Sequence, residues 1–149
     1  IYFWNSLKNI LKTVKEELKG ASRLIHVFGS AGERDRKKRP EMGKISLEYA
    51  DVIVLTSEDP RSESPERIMD DIARGCVKDG PYTKVRPSKI HKIADRQEAI
   101  EQAIAVARKG DIVLVTGKGH ERSMNFGSGE MPWSDHEGVK KALHYEKRN

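Results

Sequence analysis

Short runs of continuously apolar residues alternate along this chain with longer stretches in which apolar residues recur at helical spacing. Residues 24–28, 51–56 and 111–116 have the β-branched, apolar character of buried strands. The first helical series is Leu7, Ile10, Leu11, Val14 and Leu18. Strands that are apolar throughout must be covered on both faces. The alternation therefore predicts an α/β fold: a Rossmann-like, mostly parallel sheet with helices on both faces.

Helix boundaries can be recognised around these periodic stretches. Ser64 followed by Pro65 is typical of an N-cap and first helical position, and Asp95 is a second N-cap. Ser134, with a glutamate three residues later, forms a capping box for a last helix. We expect the first helix to end near Gly20. These signals place at least four helices between and around the strands.

The middle of the chain is less regular. The helix after Ser64 is expected to carry Cys76 on its buried face and to stop before Gly80. Residues 82–93 predict one or two short strands around Pro87.

Composition excludes several classes of protein. With 149 residues, the chain has the length of one domain. Its longest apolar runs are about four residues, whereas a membrane span needs about 20. The single cysteine, Cys76, cannot form an internal disulfide or a cysteine metal cage. We therefore expect a buried structural thiol in a cytoplasmic protein.

The net charge of +5 favours an acidic ligand without specifying which one. Residues 33–39 read ERDRKKR and hold five positive charges against two negative ones. Nucleic acid, a phosphorylated or carboxylated small molecule and a merely solvated charge run all remain open. The aromatic residues are too scattered for a base-stacking platform, so nucleic-acid binding depends on charge alone. These residues are Phe3, Trp4, Phe126 and Trp133.

Three polar loops follow predicted strands, at residues 29–39, 57–61 and 117–121. In open α/β sheets, ligands bind beyond the carboxyl ends of the strands. We therefore expect the three loops to converge at one edge of the sheet.

The second loop suits a zwitterion such as an amino acid, because Arg61 can bind a carboxylate and the acids at 58 and 59 can bind an ammonium group. Arg34 and Arg36 of the first loop can bind a carboxylate or a phosphate. Small residues at 29–32 allow backbone N–H groups to approach an anion. Charged connectors exposed to solvent are the alternative. Neither a Walker A loop nor a G-x-G-x-x-G fingerprint is present, and the adjacent His120 and Glu121 are badly spaced for a metal, so no metal site is predicted.

Together the loops resemble three motifs of the Mur ligases. Residues 29–43, GSAGERDRKKRPEMG, are similar to the family pattern G-x-G-G-D-R-D-x-x-K-R-P-x-M-G. Residues 58–61, EDPR, stand where the family has D-N-P-R, and residues 117–121 match its G-K-G-H-E. The order and spacing agree from about residue 23 to 143. The closest likeness is to the C-terminal domain of the UDP-N-acetylmuramoyl-tripeptide synthetase (MurE) type.

The resemblance implies a role for each loop. In the family, ATP phosphorylates the carboxylate of a UDP-linked muramoyl dipeptide, and an incoming amino acid attacks the acyl phosphate. The implied amino-acid contacts are Arg34, Glu58, Asp59, Pro60, Arg61, Gly117 and Glu121. The implied further anion or nucleotide contacts are Gly29, Gly32, Asp35, Lys38, Lys118 and His120. No catalytic residue is expected in this chain, because ATP and Mg²⁺ would be bound mainly by other domains.

Two features of the motifs favour different amino acids. Arg61 favours diaminopimelate, because lysine has no second carboxylate to pair with the guanidinium. Asp59, where the family has asparagine, favours a cationic ligand such as lysine. Glu58 and Glu33 also replace family aspartates. The identity of the amino acid therefore remains open.

The likeness also predicts the domain organisation. We expect residues 1–20 to be a hinge and first helix that follow an ATPase domain outside this sequence, and residues 21–149 to be the amino-acid-binding domain. Its partners would be the preceding ligase domains, the amino acid and the UDP-muramoyl peptide, with no nucleic acid or membrane. Alone, such a chain should ligate nothing. A free-standing binding or regulatory module with the same fold is the alternative.

Overall fold

The computed structural model describes residues 2–77 and 89–148. Its helices are α1 (Tyr2–Glu17), α2 (Lys38–Tyr49), α3 (Pro65–Ala73), α4 (Arg96–Val106) and α5 (Asp135–Arg148). Its strands are β1 (Leu24–Phe28), β2 (Val52–Leu55), β3 (Ile90–Lys92), β4 (Ile112–Val115), β5 (Ser123–Asn125) and β6 (Glu130–Pro132). None of the helices in the described part of the chain combines the length and apolarity needed to cross a membrane.

The first four strands form a parallel sheet in the order β3-β2-β1-β4. Successive side chains of β1 point to opposite faces, so Phe28 packs with α1, α2 and α3 while Ile25 packs with α4 and α5. All five residues of β1 are buried, as expected for a central strand. The predicted α/β sheet with helices on both faces is confirmed.

Helix α1 packs in the hydrophobic core on one face of the sheet, together with α2 and α3. Leu7 and Leu11 are buried and contact the cluster that includes Phe28 and Leu55. The predicted boundary at residue 20 lies in the turn between α1 and β1. The first helix is therefore packed as an integral layer of this fold.

The structure differs from the sequence-based expectations at two elements, helix α3 and an additional hairpin, and agrees with them at strand β3. Helix α3 ends at Ala73, and Cys76 follows in a turn, where its thiol is still buried. Strand β3 falls within the predicted stretch 82–93, but Gly80 and Pro87 lie outside the described residues. The antiparallel β5–β6 hairpin was not predicted. Its strands have three residues each, too few for a period of two to be recognised.

Two aspartates at the amino edge of the sheet hold neighbouring strands in place. Asp111 accepts from the backbone N–H of Arg23 at 2.8 Å and from its guanidinium at 2.8 and 3.0 Å. Asp51 accepts from the backbone N–H of Leu24 and from Lys15 Nζ, both at 2.9 Å. Although burial alone would raise it, the pKa of Asp111 is lowered to about 2 by its backbone and Arg23 hydrogen bonds.

Asp111→Asn should make the free energy of unfolding depend less on pH in the acid range. A carboxylate whose pKa is lower in the folded chain stabilises it above the unfolded pKa, near 4, and loses that contribution as pH falls through about 2. We expect the variant to be less stable than the original at pH 7, with the difference shrinking between pH 4 and 2. Urea unfolding at several pH values measures this. Glu16→Gln, at an exposed acidic residue of α1, is the control. A difference in stability that does not vary with pH would contradict a lowered pKa at Asp111.

Candidate functional site

A cavity of about 770 Å³ lies at the carboxyl edge of the parallel sheet, where the three polar loops meet. The first loop and the start of α2 contribute Gly29, Ser30, Ala31, Arg34, Asp35 and Lys38. The second and third loops contribute Glu58, Asp59, Arg61, Gly117 and Glu121, next to Thr116. Helices α1 and α2 supply Ser6, Leu7, Ile10 and Met42. The expected convergence of the loops is therefore present, with an apolar wall on one side.

Four residues singled out by the sequence do not line this cavity: Gly32, Pro60, Lys118 and His120. A Cβ at Gly32 would lie 1.9 Å from the carbonyl oxygen of Pro60, and the Gly32 N–H donates to Asp59 O at 2.9 Å. This glycine thus lets the first two loops pack closely. His120 lies instead in a separate surface pocket beside His136.

Strained backbone holds the second loop in shape. Asp59 and Arg61 have φ values of +41° and +53°, a conformation that costs a non-glycine residue about 1–3 kcal/mol. Hydrogen bonds offset the strain: Arg61 donates from its N–H to Asn125 O at 3.0 Å and from Nη1 to Gly32 O at 2.6 Å. The guanidinium is thereby anchored at one nitrogen while it lines the cavity.

Lys118 links the second and third loops from behind the cavity wall. Its Nζ lies 2.8 Å from Asp59 Oδ1 and 2.7 Å from Glu121 Oε2, and its side chain is 1% exposed. Although burial alone would lower it, the pKa of Lys118 is raised by these two hydrogen-bonded carboxylates. The carboxylate of Asp59 is therefore neutralised within the fold. The sequence-based argument that Asp59 favours a cationic ligand overlooked this pairing.

Glu58 is the carboxyl group most affected by its surroundings. Burial raises its pKa to about 7, although the positive charges of Arg96 and Lys118 oppose the rise. Gly117 has a φ of +112°, which favours glycine, and a Cβ there would lie 2.5 Å from Glu58 Oε2 and displace this carboxyl group. Glu58 can therefore exchange a proton near neutral pH at the cavity wall.

The geometry can be compared with known proteins. The family model described as "Mur ligase, glutamate ligase domain" matches residues 4–119. This chain belongs to the Mur ligase family. The likeness drawn from the three motifs is confirmed.

Individual relatives of this Mur ligase domain are much longer than the chain. It is 42% identical over 139 residues to the UDP-N-acetylmuramoyl-L-alanyl-D-glutamate–2,6-diaminopimelate ligase of Chlorobium phaeobacteroides, covering 93% of this chain and 25% of that protein. It is 48% identical over 122 residues to the UDP-N-acetylmuramyl-tripeptide synthetase of Borreliella burgdorferi, covering 82% and 23%. A solved structure of a diaminopimelate ligase matches 98% of this chain and 28% of its own, with 34% identity and a TM-score of 0.84. The chain thus spans about a quarter of the length of these relatives.

One structurally important residue of this Mur ligase domain was missed by the sequence reasoning. Arg96, at the start of α4, is buried and forms two hydrogen bonds with Asp135, at 2.8 and 2.9 Å. It also donates to the carbonyls of Ser57 at 2.9 Å and Thr116 at 3.0 Å. Arg96 therefore joins the ends of β2 and β4 to the start of α5. In the sequence it resembles any charged residue in a first helical turn, so no local signal identifies it.

Some residues of the basic run at 33–39 form structural ion pairs. Glu63 accepts from Arg39 at 2.7 Å and from Arg36 at 2.9 Å, and Arg39 also pairs with Asp71 at 3.0 Å. Arg39 is buried, which is unusual for an arginine in a charge run. Arg34 is the arginine of the run that lines the cavity. Part of the basic run thus holds α2 against α3, and another part lines the cavity.

Glu58→Gln should stabilise the chain at alkaline pH. A carboxyl group whose pKa is raised by folding destabilises the fold above its unfolded pKa, near 4.5, and this cost is complete above about 7. We expect the variant to gain at least about 1 kcal/mol at pH 8 and nothing below pH 4. Urea unfolding at the two pH values measures the gain, with the exposed Glu66→Gln as control. An equal gain at both pH values would contradict a buried, titrating Glu58.

Proposed function

We propose that this chain is the amino-acid-binding domain of an ATP-dependent ligase of peptidoglycan synthesis. The complete enzyme would join an amino acid to a UDP-N-acetylmuramoyl dipeptide. The observation that carries the proposal is the cavity in which Arg34 and Arg61 lie together with Glu58 and Glu121. Guanidinium groups bind carboxylates, and carboxylates accept from an ammonium group, so this lining matches a zwitterion. The reaction would take place in the cytoplasm.

The opposite side of the cavity fits the carbon chain of an amino acid. Leu7 and Ile10 of α1 and Met42 of α2 form an apolar wall. Methylene groups packed against that wall leave water at a gain of about 25 cal/mol per Å² of apolar surface. A ligand with charged ends and an aliphatic middle can therefore bind both the charged lining and the apolar wall of the cavity.

Diaminopimelate is the amino acid that we propose. It has two carboxylates, and Arg34 and Arg61 supply two guanidinium groups to the cavity. The ion pair with Lys118 offsets part of the negative charge of Asp59, so Asp59 opposes a second carboxylate less than an unpaired aspartate would. The Chlorobium and Aquifex aeolicus relatives, both 42% identical to this chain, are named as 2,6-diaminopimelate ligases, whereas the name of the 48% identical Borreliella relative specifies no amino acid.

ATP and Mg²⁺ would be held mainly by parts of the enzyme outside this sequence. Of the residues suggested as anion or nucleotide contacts, Gly29, Asp35 and Lys38 line the cavity. Lys118 is held by two carboxylates and is not positioned to pair with a phosphate. These residues fit a contribution to a nucleotide site closed by this domain. When bound, ATP would supply the energy for amide formation.

The test uses the full-length enzyme that carries this chain. With ATP, Mg²⁺ and the UDP-linked dipeptide, it should form a UDP-linked tripeptide, with faster turnover of diaminopimelate than of lysine at equal concentrations. Mass spectrometry of the product and phosphate release measure both. Absence of any amide product with either amino acid would overturn the proposed function and favour a binding module without ligase activity.

A further inference from the structure

We propose that Lys118 is a positioning residue that sets the charge of the cavity and thereby selects an amino acid with a second carboxylate. The inference rests on the proposed function and deepens it. Lys118 does not line the cavity, so it would act through the two carboxylates that it holds.

The first part of the argument is geometric. Asp59 belongs to the loop after β2, and Glu121 to the loop after β4, and Lys118 Nζ lies within 2.8 Å of a carboxylate oxygen of each. The side chain of Glu121 is 59% exposed, so the buried ammonium group is a fixed anchor for an otherwise solvated carboxylate. Losing that anchor would let Glu121 reorient away from the cavity.

The partners of Asp59 support a charge-setting role. Asp59 Oδ1 also accepts from the Asn125 N–H at 2.9 Å, so the loop position does not depend on Lys118 alone. An asparagine at 59 could keep that backbone hydrogen bond through its side-chain oxygen. Lys118 supplies the hydrogen-bonded positive charge opposite the carboxylate, and the charge of Arg61 adds to it without a hydrogen bond.

The electrostatic consequence follows from proximity. Glu58, Asp59 and Glu121 lie at the same wall, facing one buried ammonium group. Removing Lys118 would leave the wall one unit more negative, which repels a second carboxylate and attracts a cationic side chain. Removing the charge of Asp59 would have the opposite effect. In a partly buried site, one unit of charge several ångströms away changes an affinity roughly tenfold or more.

The experiment compares three variants in the full-length enzyme. Selectivity is measured as kcat/KM for diaminopimelate divided by kcat/KM for lysine. We expect Lys118→Met to lower this ratio roughly tenfold, mainly through KM, and Asp59→Asn to raise it. The double variant Lys118→Met with Asp59→Asn restores the original charge and should return the ratio toward the original value. Lys109→Met, an exposed lysine just before β4, is the matched control.

The outcomes separate the inference from the proposed function. A lysine that only ties two loops together would, when lost, lower turnover of both amino acids alike and leave the ratio unchanged. Unchanged ratios in Lys118→Met and in Asp59→Asn would therefore overturn the inference while ligation itself persists. If Lys118→Met does not fold, an unchanged ratio in Asp59→Asn is sufficient to overturn it. An original enzyme that ligates neither amino acid would instead overturn the proposed function.

Discussion

Arg61→Ala is expected to raise the KM for diaminopimelate by roughly 30-fold or more in the proposed full-length ligase. Removing one partner of a desolvated charge pair costs about 2–5 kcal/mol, and each 1.4 kcal/mol corresponds to a factor of ten. Arg61 is partly buried and lines the cavity, and the hydrogen bond from Nη1 to Gly32 O limits the freedom of its guanidinium group. Steady-state kinetics with diaminopimelate as the varied substrate measure the change.

Two comparisons make the Arg61 experiment specific. Arg61→Lys keeps the charge but loses the two-pronged geometry, so its KM should fall between those of the original enzyme and the alanine variant. Arg67→Ala removes an exposed arginine of α3 and should leave the kinetics unchanged. In Arg61→Ala, turnover of lysine should decrease less than turnover of diaminopimelate. Unchanged KM values for both amino acids in Arg61→Ala would remove Arg61 from the site.

Arg96→Met should destabilise the chain by about 3–5 kcal/mol. The substitution leaves the buried carboxylate of Asp135 without its cation and takes donors away from two carbonyls. The hydrogen bond from Trp133 Nε1 to Asp135 Oδ1, at 2.7 Å, cannot replace a full positive charge. Urea unfolding at pH 7 measures the loss, which is a large share of the 5–15 kcal/mol typical of a domain.

A double-mutant cycle identifies the source of that loss. Asp135→Asn removes the uncompensated charge. The variant that combines Arg96→Met with Asp135→Asn should therefore lose less free energy of unfolding than the two single variants lose in sum. Arg108→Met, at an exposed arginine, is the control and should cost less than about 0.5 kcal/mol. If the losses in free energy of unfolding from Arg96→Met and Asp135→Asn add up strictly, the two residues do not act as a unit.

The site could be predicted from the sequence where a local pattern carried the information. Arg34, Glu58, Arg61 and Glu121 each follow a strand of the parallel sheet within a few residues, and the carboxyl ends of parallel strands share one edge. Their common location therefore follows from chain order and strand direction. Their binding roles remain predictions for the experiments above.

The pairing of charges could not be predicted in the same way. Lys118 and Asp59 are 59 positions apart, and Arg96 and Asp135 are 39 apart. From their spacing alone, each could equally be a solvated surface charge or a ligand contact. The same ambiguity led the sequence reasoning to treat Asp59 as a charge that was available to the ligand.

Periodicity, capping residues and three loop motifs were sufficient to establish the α/β sheet, its helices on both faces and membership of the Mur ligase family. These properties follow from neighbours close in the chain, whose spacing reflects burial directly. Which charges are neutralised, which glycines allow loops to touch and which residues line the cavity depended on contacts between distant segments. Such contacts exist only once the strands have assembled, because the energy of a charge depends on its partners and its burial rather than on its position in the chain.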